Sequence, residues 1–229
     1  MTRTMRLLKG MLLGVAALGL TAPSRAAQFP EARIFIEYNS TDNDLGFHVF
    51  LDAENWTAAT IKNPAGLTIY DVKAQGAFGA LGLSEMFFEG AEPSLDEVPL
   101  ETLLGLMPEG RYTFTGVTVA GSRLTSRPTL SHAVPAGPSV STEVNGETVI
   151  IRWEPVTGPP EGFPNRAIVI TGYQVIVDTF QVTLPASSTS VAVPEELIQS
   201  LDPGPHTFEV LAIEASGNQS ITSGFFVID

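Results

Sequence analysis

The segment Val149-Ile-Ile-Arg-Trp-Glu-Pro155 constrains the fold more than any other in this chain. It puts Val149, Ile151 and Trp153 on one side of an extended backbone and Ile150, Arg152 and Glu154 on the other, the period of two expected of a strand with one buried face. Similar apolar segments follow at 170–177, at 190–193 and at 208–212, the last of them behind the corner Leu201-Asp-Pro203. Several short strands at this spacing, separated by turn residues, predict a sandwich of sheets.

Before residue 132 the same pattern recurs. Ile34, Ile36 and Tyr38 share one face of a segment at 32–38, and Phe47, Val49 and Leu51 share one face of 46–52. Asn63-Pro-Ala-Gly66 supplies a turn between 57–62 and 67–73, which predicts a hairpin. The glycine-rich passage 76–82 leads to a weakly patterned strand at 85–89. One short helix is expected at 99–104, with Pro99 at its start and Gly105 just past its end. Between the halves, Val134-Pro-Ala-Gly-Pro138 favours an extended connector.

The leading residues read as an export signal. Arg3, Arg6 and Lys9 precede the apolar run 11–20, and Ser24-Arg-Ala26 offers small residues at a cleavage point. Removing residues 1–26 would leave eight basic against twenty-five acidic side chains, a net charge of −17. Nucleic acid and anionic membrane surfaces are therefore not expected as partners, and no membrane insertion is expected after cleavage. With no cysteine in the chain, neither a disulfide framework nor a lipidated cysteine is available. A periplasmic or extracellular bacterial protein fits these features.

The second half carries a family resemblance. Pro138 before the first strand, Trp153 with Pro155, Tyr173 after Thr171-Gly172, and the Leu201 corner together make residues 136–229 similar to a fibronectin type III domain. That resemblance implies a two-sheet immunoglobulin-like sandwich with Trp153 and Tyr173 as core packers. The Arg-Gly-Asp tripeptide of some members is absent. The whole chain resembles uncharacterised exported bacterial proteins that carry a type III domain behind a leading segment, which implies no activity. In the first half, Leu106-Met-Pro108-Glu-Gly110-Arg-Tyr112 matches the tyrosine corner of immunoglobulin-like sandwiches, which would have the Tyr112 hydroxyl bonding back to the preceding backbone. With one residue of slippage the second half offers Phe208 there, a ring that packs but makes no such bond.

The expected architecture is all-β, with two sandwiches in tandem: a signal at 1–26, a first unit at 28–133, a linker at 134–138 and a type III unit at 139–229. The first unit is expected to be immunoglobulin-like or jelly-roll-like, with one short helix. Trp153, Tyr173, Tyr112 and Phe208 are the expected core aromatics.

Chemistry is sparse. There is no Gly-x-Ser-x-Gly elbow, no His-Glu-x-x-His and no phosphate loop, so no catalytic residue is assigned. His48 alternates out of phase with Phe47 and Val49 and is expected to face solvent; His132 lies at the connector and His206 opens a strand. The acids Glu85, Glu89, Glu92, Asp96, Glu97 and Glu101 read as a charged rim. The one metal candidate is Asp42-Asn-Asp44-Leu-Gly46, where Asp42 and Asp44 can converge on calcium; the alternative is a hairpin turn rich in Asn and Asp. Asn39, Asn55 and Asn218 each begin an Asn-x-Ser/Thr sequence. The expected function is a non-catalytic module contacting a protein or cell-envelope component through loops or sheet edges. Carbohydrate binding through Trp56 and Phe88 is the alternative, and a glycan-active enzyme the third reading.

Overall fold

The computed structural model describes residues 27–228, and the expected export signal at 1–26 lies outside them. The first half contains β1 (Glu31–Asn39), β2 (Asp44–Lys62), β3 (Thr68–Lys73), α1 (Gly76–Leu81), β4 (Leu83–Glu89), α2 (Leu100–Leu106), β5 (Gly110–Arg111), β6 (Thr113–Thr118), β7 (Arg123–Ser126) and β8 (Thr129–Leu130). The second contains β9 (Val140–Asn145), β10 (Thr148–Trp153), β11 (Ile170–Val177), β12 (Phe180–Pro185), β13 (Ser190–Ala192), α3 (Glu195–Ile198), β14 (Gly204–Glu214) and β15 (Gln219–Ile228).

The fold is an all-β sandwich. In the second half β13, β10 and β9 form one sheet, and β12, β11, β14 and β15 run side by side in another. Val149, Ile151 and Trp153 point from the first sheet and Tyr173, Val175, Phe208 and Val210 from the second into one hydrophobic cluster. Trp153 and Tyr173 pack with ring centroids 5.4 Å apart. The expected inward face of β10 is thus the buried one, and burying such rings is worth more than any aliphatic contact in a cluster of this size.

The first half builds a second cluster from Ile34, Ile36, Trp56, Ile61, Tyr112, Phe114 and their neighbours. The segments expected as separate strands at 46–52 and 57–62 are one bent strand, β2. Its leading part pairs with β1 and β4 and its trailing part with β3 and β6. The bend falls where the register breaks between Asp52 and Trp56, with Asn55 at φ 56°. Such an irregularity lets one strand pair with different partners along its two parts. The glycine-rich passage forms the helix α1, which was not expected, while the helix expected at 99–104 spans Leu100–Leu106 with Pro99 as its cap.

Both halves enter antiparallel strands, β5–β6 and β14, through the same backbone corner. Gly110 and Gly204 each stand at φ 138°, and each is followed two residues later by a side chain that bonds back to a carbonyl four residues upstream. In the first half the Tyr112 hydroxyl donates to Pro108 O at 3.0 Å, as the corner motif implied. In the second the bond is made by His206, whose Nε2–H donates to Asp202 O at 2.7 Å. The two segments therefore align without slippage, Gly-Arg-Tyr-Thr-Phe on Gly-Pro-His-Thr-Phe. Phe208 corresponds to the buried Phe114, not to Tyr112. Its ring lies over Gly224, where a Cβ would come within 2.7 Å of the ring.

The connector is extended but not solvated: Ala133, Val134, Pro135 and Pro138 are buried. The reason is a seam between the halves. β1 and β15 pair in parallel over Glu37–Asn39 and Gln219–Ile221, so a single sheet runs from β12 through β15 and β1 to β7. Asn218, fully buried, accepts from Ile36 N–H at 2.8 Å and donates to Ser131 O at 2.8 Å and Ala133 O at 3.0 Å. Ser220 Oγ donates to Pro135 O, and Ser40 Oγ to Ile221 O at 2.8 Å. These bonds satisfy carbonyls along both sides of the seam that water would otherwise have to reach. From the long 156–167 loop, Phe163 packs on Tyr38 and Arg166 bonds Glu109 at 2.6 Å.

Candidate functional site

Among the described residues, one group of three brings potential metal-ligand atoms within 4.8 Å of one another: Glu37, His48 and Glu92. Each arrives by a different route. Glu37 lies on β1 opposite Gly46 of β2, and His48 lies opposite Phe35, so Glu37 and His48 are diagonal neighbours on one face of the hairpin. Glu92 comes from the loop after β4. That loop is held to β2 by Gly90 N–H to Phe47 O at 3.0 Å and to the β1–β2 turn by Leu95 N–H to Asn43 O at 2.8 Å.

His48 does not face solvent; its side chain is 4% exposed. The alternation was legible, but the outer face of β2 is covered here. The ring stacks on Phe35 with centroids 5.0 Å apart, and Phe87 of β4 closes it at 5.6 Å. Nε2 faces Glu37 Oε1 at 3.8 Å and Glu92 Oε1 at 3.5 Å and makes no hydrogen bond. Nδ1 lies 3.7 Å from Glu89 Oε2. The rim expected from Glu89 and Glu92 is thus partly a wall around an imidazole.

The second oxygen of Glu37 accepts a hydrogen bond from Gln219 Nε2, across the seam. Burial pushes the Glu37 carboxyl above its ordinary range, opposed by His48 and by the Gln219 bond and reinforced by Glu92 and Glu89. Gly46 makes room for Glu92: a Cβ there would lie 2.7 Å from Glu92 Cγ.

The residues singled out for calcium sit at the neighbouring turn. Asn39 Oδ1 accepts from Thr41 N–H at 3.0 Å and Asp42 N–H at 3.2 Å, and Asn39 Nδ2 donates to Asp42 Oδ2 at 2.9 Å. Asp44 bridges to Ser94, and its carboxyl is raised by burial and by Asp42. Asp42 and Asp44 belong to no three-ligand group among the described residues. Trp56, expected as an exposed aromatic, is fully buried in the first cluster because the bend in β2 turns it inward. Phe88 is half-buried and stacks on Tyr70 with centroids 4.3 Å apart, against the same cluster. His132 and His206 serve the backbone: His132 N–H donates to Glu109 Oε1 at 2.9 Å and its Nε2 to Met107 O at 2.9 Å.

These features define a β-sandwich protein whose halves share a sheet, with a buried imidazole walled by carboxylates beside the seam. No family model and no curated protein matches the sequence. Among solved structures, the Clostridium perfringens spore cortex lytic enzyme SleM is similar over 42% of this chain and 28% of that one, at 18% identity and a TM-score of 0.32. The BSP domain of a biofilm-associated protein is similar over 86% and 29%, at 15% and 0.25. A 1.5-MDa bacterial ice-binding adhesin is similar over 86% and 64%, at 14% and 0.28. The chain spans less than two thirds of each, and likenesses of this degree assign neither family nor activity.

Proposed function

We propose that this is an exported, non-catalytic interaction module that holds a protein of the cell envelope or extracellular space through its loops and sheet edges. The observation that carries the reading is α1. None of its residues is buried, and Phe78 and Leu81 are 63% and 70% exposed. Leu81 and the exposed Val119 line one open depression with Asn55. The helix is nevertheless pinned: Ala74 N–H donates to Thr57 O at 2.8 Å, and Gly82, at φ 80°, lies so close to Asn55 that a Cβ would meet its Cα at 2.6 Å. Apolar side chains held outward on a fixed support suit a protein contact. The tandem seam supports the same reading, because a continuous sheet holds its loops at set distances.

The type III assignment of residues 139–229 belongs to this proposal. It is supported by the three-stranded sheet facing a four-stranded one and by the burial of Trp153 and Tyr173. The carbohydrate reading is less favoured, since Trp56 is inside and Phe88 is engaged by Tyr70. The test compares wild type with Phe78→Ser/Leu81→Ser in cross-linking to envelope extract of the source cells, alongside a glycan array. A cross-linked protein partner lost in the double variant is expected. Glycan binding that the double variant retains would replace this reading with the carbohydrate one.

A further inference from the structure

We propose that Glu37, His48 and Glu92 bind one divalent transition-metal ion of the zinc class, with Glu89 orienting His48 from behind. The first ground is the unpartnered Nε2. A buried imidazole nitrogen without a hydrogen bond is costly, and this one points between two carboxylate oxygens. The spacing is the second. Ligand atoms about 2.0–2.1 Å from a tetrahedral zinc lie roughly 3.3–3.4 Å from one another. The observed 3.5 and 3.8 Å separations from Nε2 are too long for hydrogen bonds and close to that edge length, so small rotations of Glu37 and Glu92 would complete it.

The surroundings fit as well. A metal-bound histidine usually gives its other N–H to a carboxylate, which fixes the tautomer. Glu89 Oε2 stands on the Nδ1 side at 3.7 Å, and a rotation of its exposed side chain would bring it within reach of Nδ1–H, leaving the Nε2 lone pair for the ion. Gln219 occupies one oxygen of Glu37 and leaves the other turned toward His48. Phe35 and Phe87 hold the ring plane. Three carboxylates around one imidazole leave an excess of negative charge that a divalent cation offsets. The nitrogen ligand selects a transition metal over calcium or magnesium, which favour all-oxygen sites. Glu92 is the ligand nearest solvent, its side chain 35% exposed, and water entering beside it can fill the fourth ligand position.

Because the ligands meet only when β1, β2 and the loop after β4 are assembled, the ion binds the folded state and stabilises it by mass action. The untagged protein, stripped with chelator, is titrated with Zn²⁺ by calorimetry and followed by thermal melting, with Co²⁺ as a spectroscopic probe. Expected are one ion per chain and a melting temperature about 5–10 °C higher at a hundredfold excess over Kd. Co²⁺ should give the intense visible bands of a four- or five-coordinate ion, and Ca²⁺ should not compete. His48→Phe, which fills the same space with an apolar ring, should fold without metal and lose all three responses. Glu92→Gln, at a partly exposed position, should weaken Kd at least tenfold even if His48→Phe does not fold. Absence of saturable Zn²⁺ binding to the stripped wild type, or binding unchanged in Glu92→Gln or retained by a folded His48→Phe, would overturn the assignment.

Discussion

The buried amide of Asn218 accepts the backbone N–H of Ile36 at 2.8 Å, across 182 positions of sequence, and its own N–H groups hold the carbonyls of Ser131 and Ala133, just ahead of the connector. One side chain thus joins β15, β1 and the 131–133 segment. Asn218→Ala leaves two buried backbone groups, Ile36 N–H and Ala133 O, and the half-buried Ser131 O unpaired, each buried one costing about 1–3 kcal/mol. We expect a loss of about 3 kcal/mol or more in urea unfolding of the full chain. A loss below about 1 kcal/mol would show that water replaces the amide. The same burial keeps this Asn-x-Ser sequence from accepting a glycan in the folded protein.

The seam also sets what an isolated half can do. Residues 136–229 retain the cluster around Trp153 and Tyr173, and we expect them to unfold cooperatively when expressed alone. They should melt below the full chain, because Gln219–Ile221 lose their parallel partner. Trp153→Ala should cost about 3–5 kcal/mol in either context. A fragment without a thermal transition would place the folding unit across the seam.

The paired corners predict unequal sensitivities. Burial pushes the Tyr112 hydroxyl up to about 12, and its one bond, to Pro108, is shielded from water. Tyr112→Phe should therefore cost about 1 kcal/mol. His206→Ala should cost less, since its bond to Asp202 is exposed. Equal losses by denaturant titration would contradict the ranking.

Glu109 gives the chain a pH dependence with a defined sign. The His132 backbone N–H holds its carboxyl below the ordinary range, burial opposes this, and Arg166 adds to the lowering. A depressed folded value means stability present above the ordinary carboxylate value of 4.5 and lost as pH falls through the folded one. Glu109→Gln should thus melt a few degrees below wild type at pH 7, and the gap should close on acidification below pH 4.5. A gap that persists at low pH would assign the effect to packing.

At the β1–β2 turn, calcium binding by Asp42 and Asp44 is checked by melting with millimolar Ca²⁺ and with chelator. Asn39 already bonds the Asp42 carboxylate and organises the turn, so we expect identical curves. An increment abolished by Asp42→Asn with Asp44→Asn would instead establish the calcium site.

Local pattern in the chain specifies the all-β class, the inward faces of β1 and β10, the hairpin at Asn63–Gly66 and the Tyr112 corner. Each follows from side-chain alternation or turn chemistry, both set within a few residues. Even half of the candidate site was within reach: a turn at 40–43 pairs Glu37 with Gly46 and puts Glu37 and His48 on one face. The rest was decided by contacts distant in sequence. Phe87 and the 90–96 loop cover a strand face that alternation alone assigns to solvent, which buries His48 and brings Glu92 to it. The bend at Asn55 turns Trp56 inward, and the match of His206 to Tyr112 rests on backbone geometry shared by Gly110 and Gly204. The connector and the residues leading into it are buried because Asn218 and Ser220, far along the chain, satisfy the carbonyls of Ser131, Ala133 and Pro135. Local pattern specifies which face of a strand can be buried, and only the tertiary structure supplies what covers it.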